Sequence, residues 1–188
     1  MRTRVTAVVL LSLLGAAWPH AQRGAVPAFK QENNSPNFKA LMEVILQQAQ
    51  KSPAEGPALL ESMVPSEARI RAALRPDVTE ATVQKLLAYY KELAAREKAQ
   101  PEPIARPEQT VVRISGATTE EIVASSTVAS LRFPGGARAV AQKVLRPGIM
   151  FYEAEFLEPG KDVGVKYHLF YWDGRQWTML GAIWRVLQ

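Results

Sequence analysis

The sequence predicts an α+β fold in which N-terminal helices pack on a curved, mainly antiparallel C-terminal sheet. Three observations carry that expectation. Apolar residues recur with helical spacing between residues 38 and 94, an alternating apolar pattern takes over after residue 110, and three prolines at positions 101, 103 and 107 separate the two regimes.

The chain has 188 residues, a formal net charge of +5 and no cysteine. Its opening, MRTRVTAVVLLSLLGAAWPHAQ, sets two arginines before an apolar run over residues 5–17 that only Thr6 and Ser12 interrupt. Those are the parts of a secretory signal peptide. The run is about 13 residues, against roughly 20 for a membrane-crossing helix. Export is therefore expected, to a periplasmic or extracellular setting, without a stable membrane anchor. Gly15 and Ala17 offer the small residues a signal peptidase needs, so cleavage is expected between residues 17 and 21. The resulting plan is a signal peptide over 1–17, a flexible leader over 18–34 and a single α+β domain over 35–188, with the Pro-rich linker 100–107 inside it.

Composition excludes several chemistries. Without cysteine there are no disulfides, no thiol nucleophile and no thiolate metal site. His20 and His168 are the only histidines, too few for a multi-histidine zinc site, and no cofactor is expected. Loss of Arg2 and Arg4 would lower the net charge by two, and the remaining Lys and Arg are interleaved with Glu. No nucleic-acid partner is expected from so scattered a basic pattern.

The elements follow in order. Ser35-Pro36 opens a helix, with Ser35 as cap and Pro36 in the first turn. Phe38, Leu41, Met42, Ile45, Leu46 and Ala49 then form one apolar stripe. Ser52-Pro53-Ala54-Glu55 has the form of a second capping box. A brief helix is expected over 66–74, and a long one after Thr79, with Val83, Leu86, Leu87, Tyr90, Leu93 and Ala94 as its dry face. Beyond the linker, residues 110–114 and 126–133 read as strands. Thr118-x-x-Glu121 caps a short helix between them, and Pro134-Gly135-Gly136 turns the chain into another over 137–145.

The last forty residues are aromatic. Residues 149–157 alternate, with Met150, Tyr152, Ala154 and Phe156 on one face and Glu153 and Glu155 on the other, read as a wet face. Residues 165–172 form the next strand. Asp173-Gly174 suits a two-residue hairpin turn, which sets Trp172 against Arg175, Phe170 against Trp177 and His168 against Met179. One face would then hold Lys166, His168, Phe170 and Trp172, the other Val165, Tyr167, Leu169 and Tyr171. Gly181 marks a bend that aims Trp184 away from Trp177. Such a sheet is apolar on both sides, so if helices cover one, a pocket, a ligand or a second subunit must cover the other.

This order of helices before a curled antiparallel sheet resembles the cone-shaped fold of the nuclear-transport-factor-2-like superfamily, over residues 41–187. The block RPGIMFYEAEFLEPGKDVGVKYHLFYWDGRQWTMLGAIWR, residues 146–185, is similar to an uncharacterised group of exported bacterial proteins. The superfamily resemblance implies a cone that serves either an acid–base pair, as in isomerases and dehydratases, or binding and dimerisation.

The leading expectation is a non-catalytic exported domain that binds a ligand or self-associates through an aromatic sheet face. Tyr152, His168, Phe170, Trp172, Trp177 and Trp184 are its candidate ligand-binding residues, for a small apolar molecule, a glycan or a peptide, with a homodimer as the other partner. The rival is an isomerase or lyase with His168 as general base and Tyr152 or Tyr167 as oxyanion donor. A third reading is an accessory protein that docks through its helical face, residues 41–93.

Overall fold

Helical spacing puts Phe38, Leu41, Met42, Ile45, Leu46 and Ala49 on one stripe, and all six are buried in helix α1 (Ser35–Lys51). The computed structural model describes residues 33–52 and 55–187. The expected signal peptide, nearly all of the leader, and Pro53 and Ala54 of the second expected capping box lie outside the described residues. The cap of α1 is Asn34 rather than Ser35: its Oδ1 accepts the Asn37 N–H at 2.9 Å. Two short helices follow, α2 (Glu55–Glu61) and α3 (Glu67–Ala73), and then α4 (Glu80–Ala99), capped by the Thr79 hydroxyl. Val83, Leu86 and Tyr90 are the buried part of its stripe, while Leu87, Leu93 and Ala94 are half-buried.

The sheet has four strands in sequence order, β1 (Val111–Thr118), β2 (Met150–Leu157), β3 (Val165–Trp172) and β4 (Trp177–Met179), each antiparallel to its neighbour. Between β1 and β2 lie α5 (Thr119–Ala124) and α6 (Gly135–Lys143). The Thr118–Glu121 capping box at the start of α5 is bonded in both directions.

Residues 126–133, expected as a strand, instead form a turn and a 3-10 helix over Ser130–Arg132. The competing force is local. Thr127 N–H donates to Ser130 Oγ at 2.9 Å, Ser130 N–H donates to Thr127 Oγ1 at 3.0 Å, and Ser130 Oγ donates to the Thr127 carbonyl at 2.8 Å. Serine and threonine side chains thus take the backbone away from any ladder.

The last hairpin also corrects the expectation. Asp173 and Gly174 do not make a two-residue turn, because Asp173 Oδ1 accepts the N–H groups of both Arg175 and Gln176 at 2.8 Å, which holds four residues in the loop. Asp173 Oδ2 meanwhile pairs with Arg69 at 2.7 Å. Trp172 is therefore opposite Trp177, and Phe170 opposite Met179. The strand ends at Met179, the chain turns through Gly181 at φ 68°, and Trp184 belongs to a last short helix, α7 (Trp184–Leu187).

A second irregularity sits in β3. Tyr152 pairs with Phe170 but Ala154 pairs with Tyr167, so His168 and Leu169 together stand against Glu153. This is a β-bulge, and Leu169 takes φ 54°, a conformation that leucine rarely adopts. The extra residue resets the alternation. Tyr167, Phe170 and Trp172 pack towards α1, whereas Leu169 and Tyr171 pack towards α3–α6, and His168 turns to Glu153. The expected grouping of Lys166 and His168 with Phe170 and Trp172 is broken.

Both sides of the sheet are covered by the chain's own helices. On one side α1 and α2 close over Val112, Tyr152, Ala154, Phe156, Phe170 and Trp177. On the other, α3, α4, α5 and α6 close over Ala117, Phe151, Leu169 and Tyr171. The expectation that the second face must seek an outside shelter is thereby corrected, because the helical half divides between the two faces.

Candidate functional site

Strand β2 carries Glu153 and Glu155 on one face, and both are buried, each 2% exposed. They do not lie on a wet face as their alternation implied. Buried carboxylates demand partners, and the sheet register supplies them. Arg113 on β1 stands opposite Glu155 and donates from Nε at 3.1 Å and Nη2 at 2.6 Å to Oε2. The other oxygen of Glu155 accepts the Gly164 N–H at 3.0 Å. That glycine has to be bare, since a Cβ there would lie 1.9 Å from the Phe156 carbonyl oxygen.

Glu153 is held from β3. Lys166 Nζ reaches Glu153 Oε1 at 2.9 Å, and His168 Nδ1 reaches Oε2 at 2.9 Å. Lys166 also donates to the Arg132 carbonyl, which ties the irregular segment 125–133 to this cluster. His168 Nε2 has no hydrogen-bond partner among the described residues, and the ring meets Trp184 edge-on with centroids 5.1 Å apart. The bulge is what makes this contact, since without it His168 would point to the aromatic α1 side.

A cleft of about 500 Å³ opens beside this histidine. Its walls are the C-terminal half of α4 with Tyr90, Leu93 and Ala94, the extended stretch through Pro103 and Ile104, and the edge of β3 at Lys166, Tyr167 and His168. Residues 179–182 close one end. The cleft exists because β4 is only three residues long, pairing with residues 170–172 and leaving the first half of β3 without a strand on that side. Tyr90 fixes one wall by donating its hydroxyl to the Leu180 carbonyl at 3.0 Å. Burial pushes its phenol well above the usual tyrosine range.

The expected site residues separate. Tyr152, Phe170 and Trp177 are 2%, 0% and 3% exposed, packed around Phe38 of α1 with ring centroids 4.7 to 5.3 Å from it. They are core side chains. Trp172 is half-buried and T-stacked on Trp177 at 5.7 Å. Trp184 is half-buried against Gly136, where a Cβ would meet its ring at 2.3 Å, so Gly136 serves close packing, while a Cβ on Gly135 would meet open space.

Of the acid–base candidates, Tyr152 lies on the opposite face of the sheet from His168. Tyr167 lines the cleft, but its hydroxyl already donates to the Ile104 carbonyl at 2.9 Å. Burial, with Glu97 and Glu102 nearby, raises its phenol far above the usual range. Neither tyrosine is available as an oxyanion donor beside His168. The residues that sequence reasoning missed are Glu153 as the partner of His168, and Lys166. Their sequence signal was the Glu-Ala-Glu spacing set against a Lys-Tyr-His spacing one strand later, legible only with the register and the bulge in hand.

Among the described residues no group of His, Cys, Asp or Glu is arranged to hold a metal, and no helix is long and apolar enough to cross a membrane. No family model, curated protein or solved structure matches this chain.

Proposed function

We propose that this chain is a ligand-binding domain, and that its site is the cleft beside β3 rather than the aromatic sheet face. The observation that carries the reading is a cleft of about 500 Å³, walled mostly by apolar side chains, whose lining includes a histidine held by a buried carboxylate. Small-molecule sites have this make-up, a mainly apolar enclosure of about 300–1,000 Å³ with a few fixed polar groups. Glu153 fixes the ring of His168, so an incoming polar group finds Nε2 already oriented. If the opening residues direct export, the ligand is an extracytoplasmic one.

Calorimetry against a panel of apolar acids, glycans and short peptides tests this reading, with wild type beside Ala94→Trp, which fills the cleft from α4. Binding by wild type that the variant loses supports it. A panel bound by neither, or equally by both, removes it.

The contact between Glu153 and His168 favours a second reading. A carboxylate that orients an imidazole is also the arrangement of a general base, so the cleft could turn over a substrate with an acidic C–H or a hydrated carbonyl. Turnover of isomerase and lyase substrates that vanishes in His168→Ala, with the fold intact, would support it. Ligand binding without any His168-dependent turnover would leave the first reading alone.

A further inference from the structure

The backbone along the cleft adds a feature that side chains do not supply. The His168 carbonyl accepts the Gly181 N–H at 3.1 Å, and the Leu169 carbonyl accepts the Leu180 N–H at 3.0 Å. After those two bonds the chain leaves β3 through Gly181. In an extended strand the N–H and C=O of one residue point to the same side, and the side alternates from residue to residue. Since the His168 carbonyl faces β4, the N–H and C=O of Lys166 face that side as well, where β4 has ended. They look into the cleft, beside the side chains of Lys166, Tyr167 and His168 that line it.

Open strand edges are templates for another strand, and proteins usually blunt them or use them. Here the edge is walled rather than blunted. The C-terminal half of α4 and the stretch through Pro103 and Ile104 stand across from it, leaving an apolar channel. Charges of both signs line the channel as well, Glu61, Arg96, Glu97, Glu102, Lys166 and Arg185. Glu97 and Glu102 stand close enough to the Tyr167 hydroxyl to raise its ionisation. Arg185 also lines it, next to Trp184, whose ring touches His168.

We propose that the cleft takes an extended peptide, added as a fifth strand to the open edge of β3 at residues 165–168, with apolar side chains against α4 and Ile104. Its backbone would bond to the free N–H and C=O of Lys166, the pair that faces the open edge. This rests on the cleft being a ligand site and names the ligand's class.

The test is a display library of random heptapeptides selected on the full chain, with Ala94→Trp as the blocked control. The best peptide is then remade with N-methyl groups at alternate residues, in both possible registers. A strand-forming ligand shows one register that loses about tenfold or more in affinity, as two backbone hydrogen bonds would, while the other register binds nearly as before. Two registers that bind alike, or no peptide enriched over the control, overturn the proposal. If peptides fail while an apolar small molecule still binds wild type and not Ala94→Trp, only the peptide inference falls. If neither binds, the cleft reading falls with it.

Discussion

The two halves of β3 are built differently. Residues 170–172 all pair with β4, Phe170 pairs with β2 as well, helices lie above and below, and Phe170 is fully buried. Residues 165–167 have β2 alone, His168 adds only a carbonyl bond to Gly181 on the other side, and the side chains of 165–168 are half-buried, with Lys166 ion-paired and His168 hydrogen-bonded to Glu153. The difference teaches that packing and exposed hydrogen-bonding capacity divide along one strand. The dry half anchors the fold, and the half that keeps an open edge carries the groups to which we assign the ligand.

Four measurements would break or sharpen that contrast. The largest effect is expected in the dry half. Phe170→Ala removes a fully buried ring from the cluster around Phe38 and should cost about 3–5 kcal/mol in urea denaturation. A loss under 1 kcal/mol would show that the two halves are equally loose.

Next comes the ion-paired row. Glu155→Gln keeps an acceptor for Gly164 but sets an amide against Arg113, for a cost of about 2 kcal/mol. A neutral substitution there would mean that the buried charges are not what holds this half together.

Alkaline pH supplies the third. Burial raises the phenols of Tyr90, Tyr167 and Tyr171 in the folded state above the ordinary 10.0. Their contribution is complete below pH 10 and is lost as pH climbs from there towards the folded values, because only the unfolded chain ionises easily. Tyr90 alone should remove about 1.4 kcal/mol per pH unit above 10. Melting curves between pH 9 and about pH 11 check this, and Tyr90→Phe should flatten the decline. An unchanged melting temperature across that range would contradict it.

The smallest effect is at the bend. Gly181 has φ 68° and open space where a Cβ would go, so Gly181→Ala should cost only the left-handed backbone penalty of about 1 kcal/mol. Destabilisation well beyond that would mean that the bend is tied into packing that the geometry does not display.

Much of the fold was legible because its signals are local. The stripe of α1, the Thr79 cap, the Thr118–Glu121 box and the alternation of β2 each need only a few neighbouring residues, and each appears where the sequence predicts it. Two misreadings were local, where the Ser130 and Asp173 oxygens take nearby backbone N–H groups, and the rest depended on partners distant in the chain. The pairing of the second Asp173 oxygen with Arg69, 104 positions away, left no trace in the local pattern either. Glu153 and Glu155 looked wet because nothing in their own strand announces Arg113 or Lys166. The cleft was invisible for the same reason, since it arises where β4 stops early.

The bulge at Leu169 works like a reading frame for the sheet. It adds one residue to β3, so that His168 and Leu169 share the place opposite Glu153 while the residues on either side of them keep their faces, Tyr167 and Phe170 towards α1 and Lys166 towards the carboxylates. Losing Leu169 should therefore straighten the ladder and cost only the packing of one buried side chain, whereas keeping it without the bulge would send His168 to the α1 side.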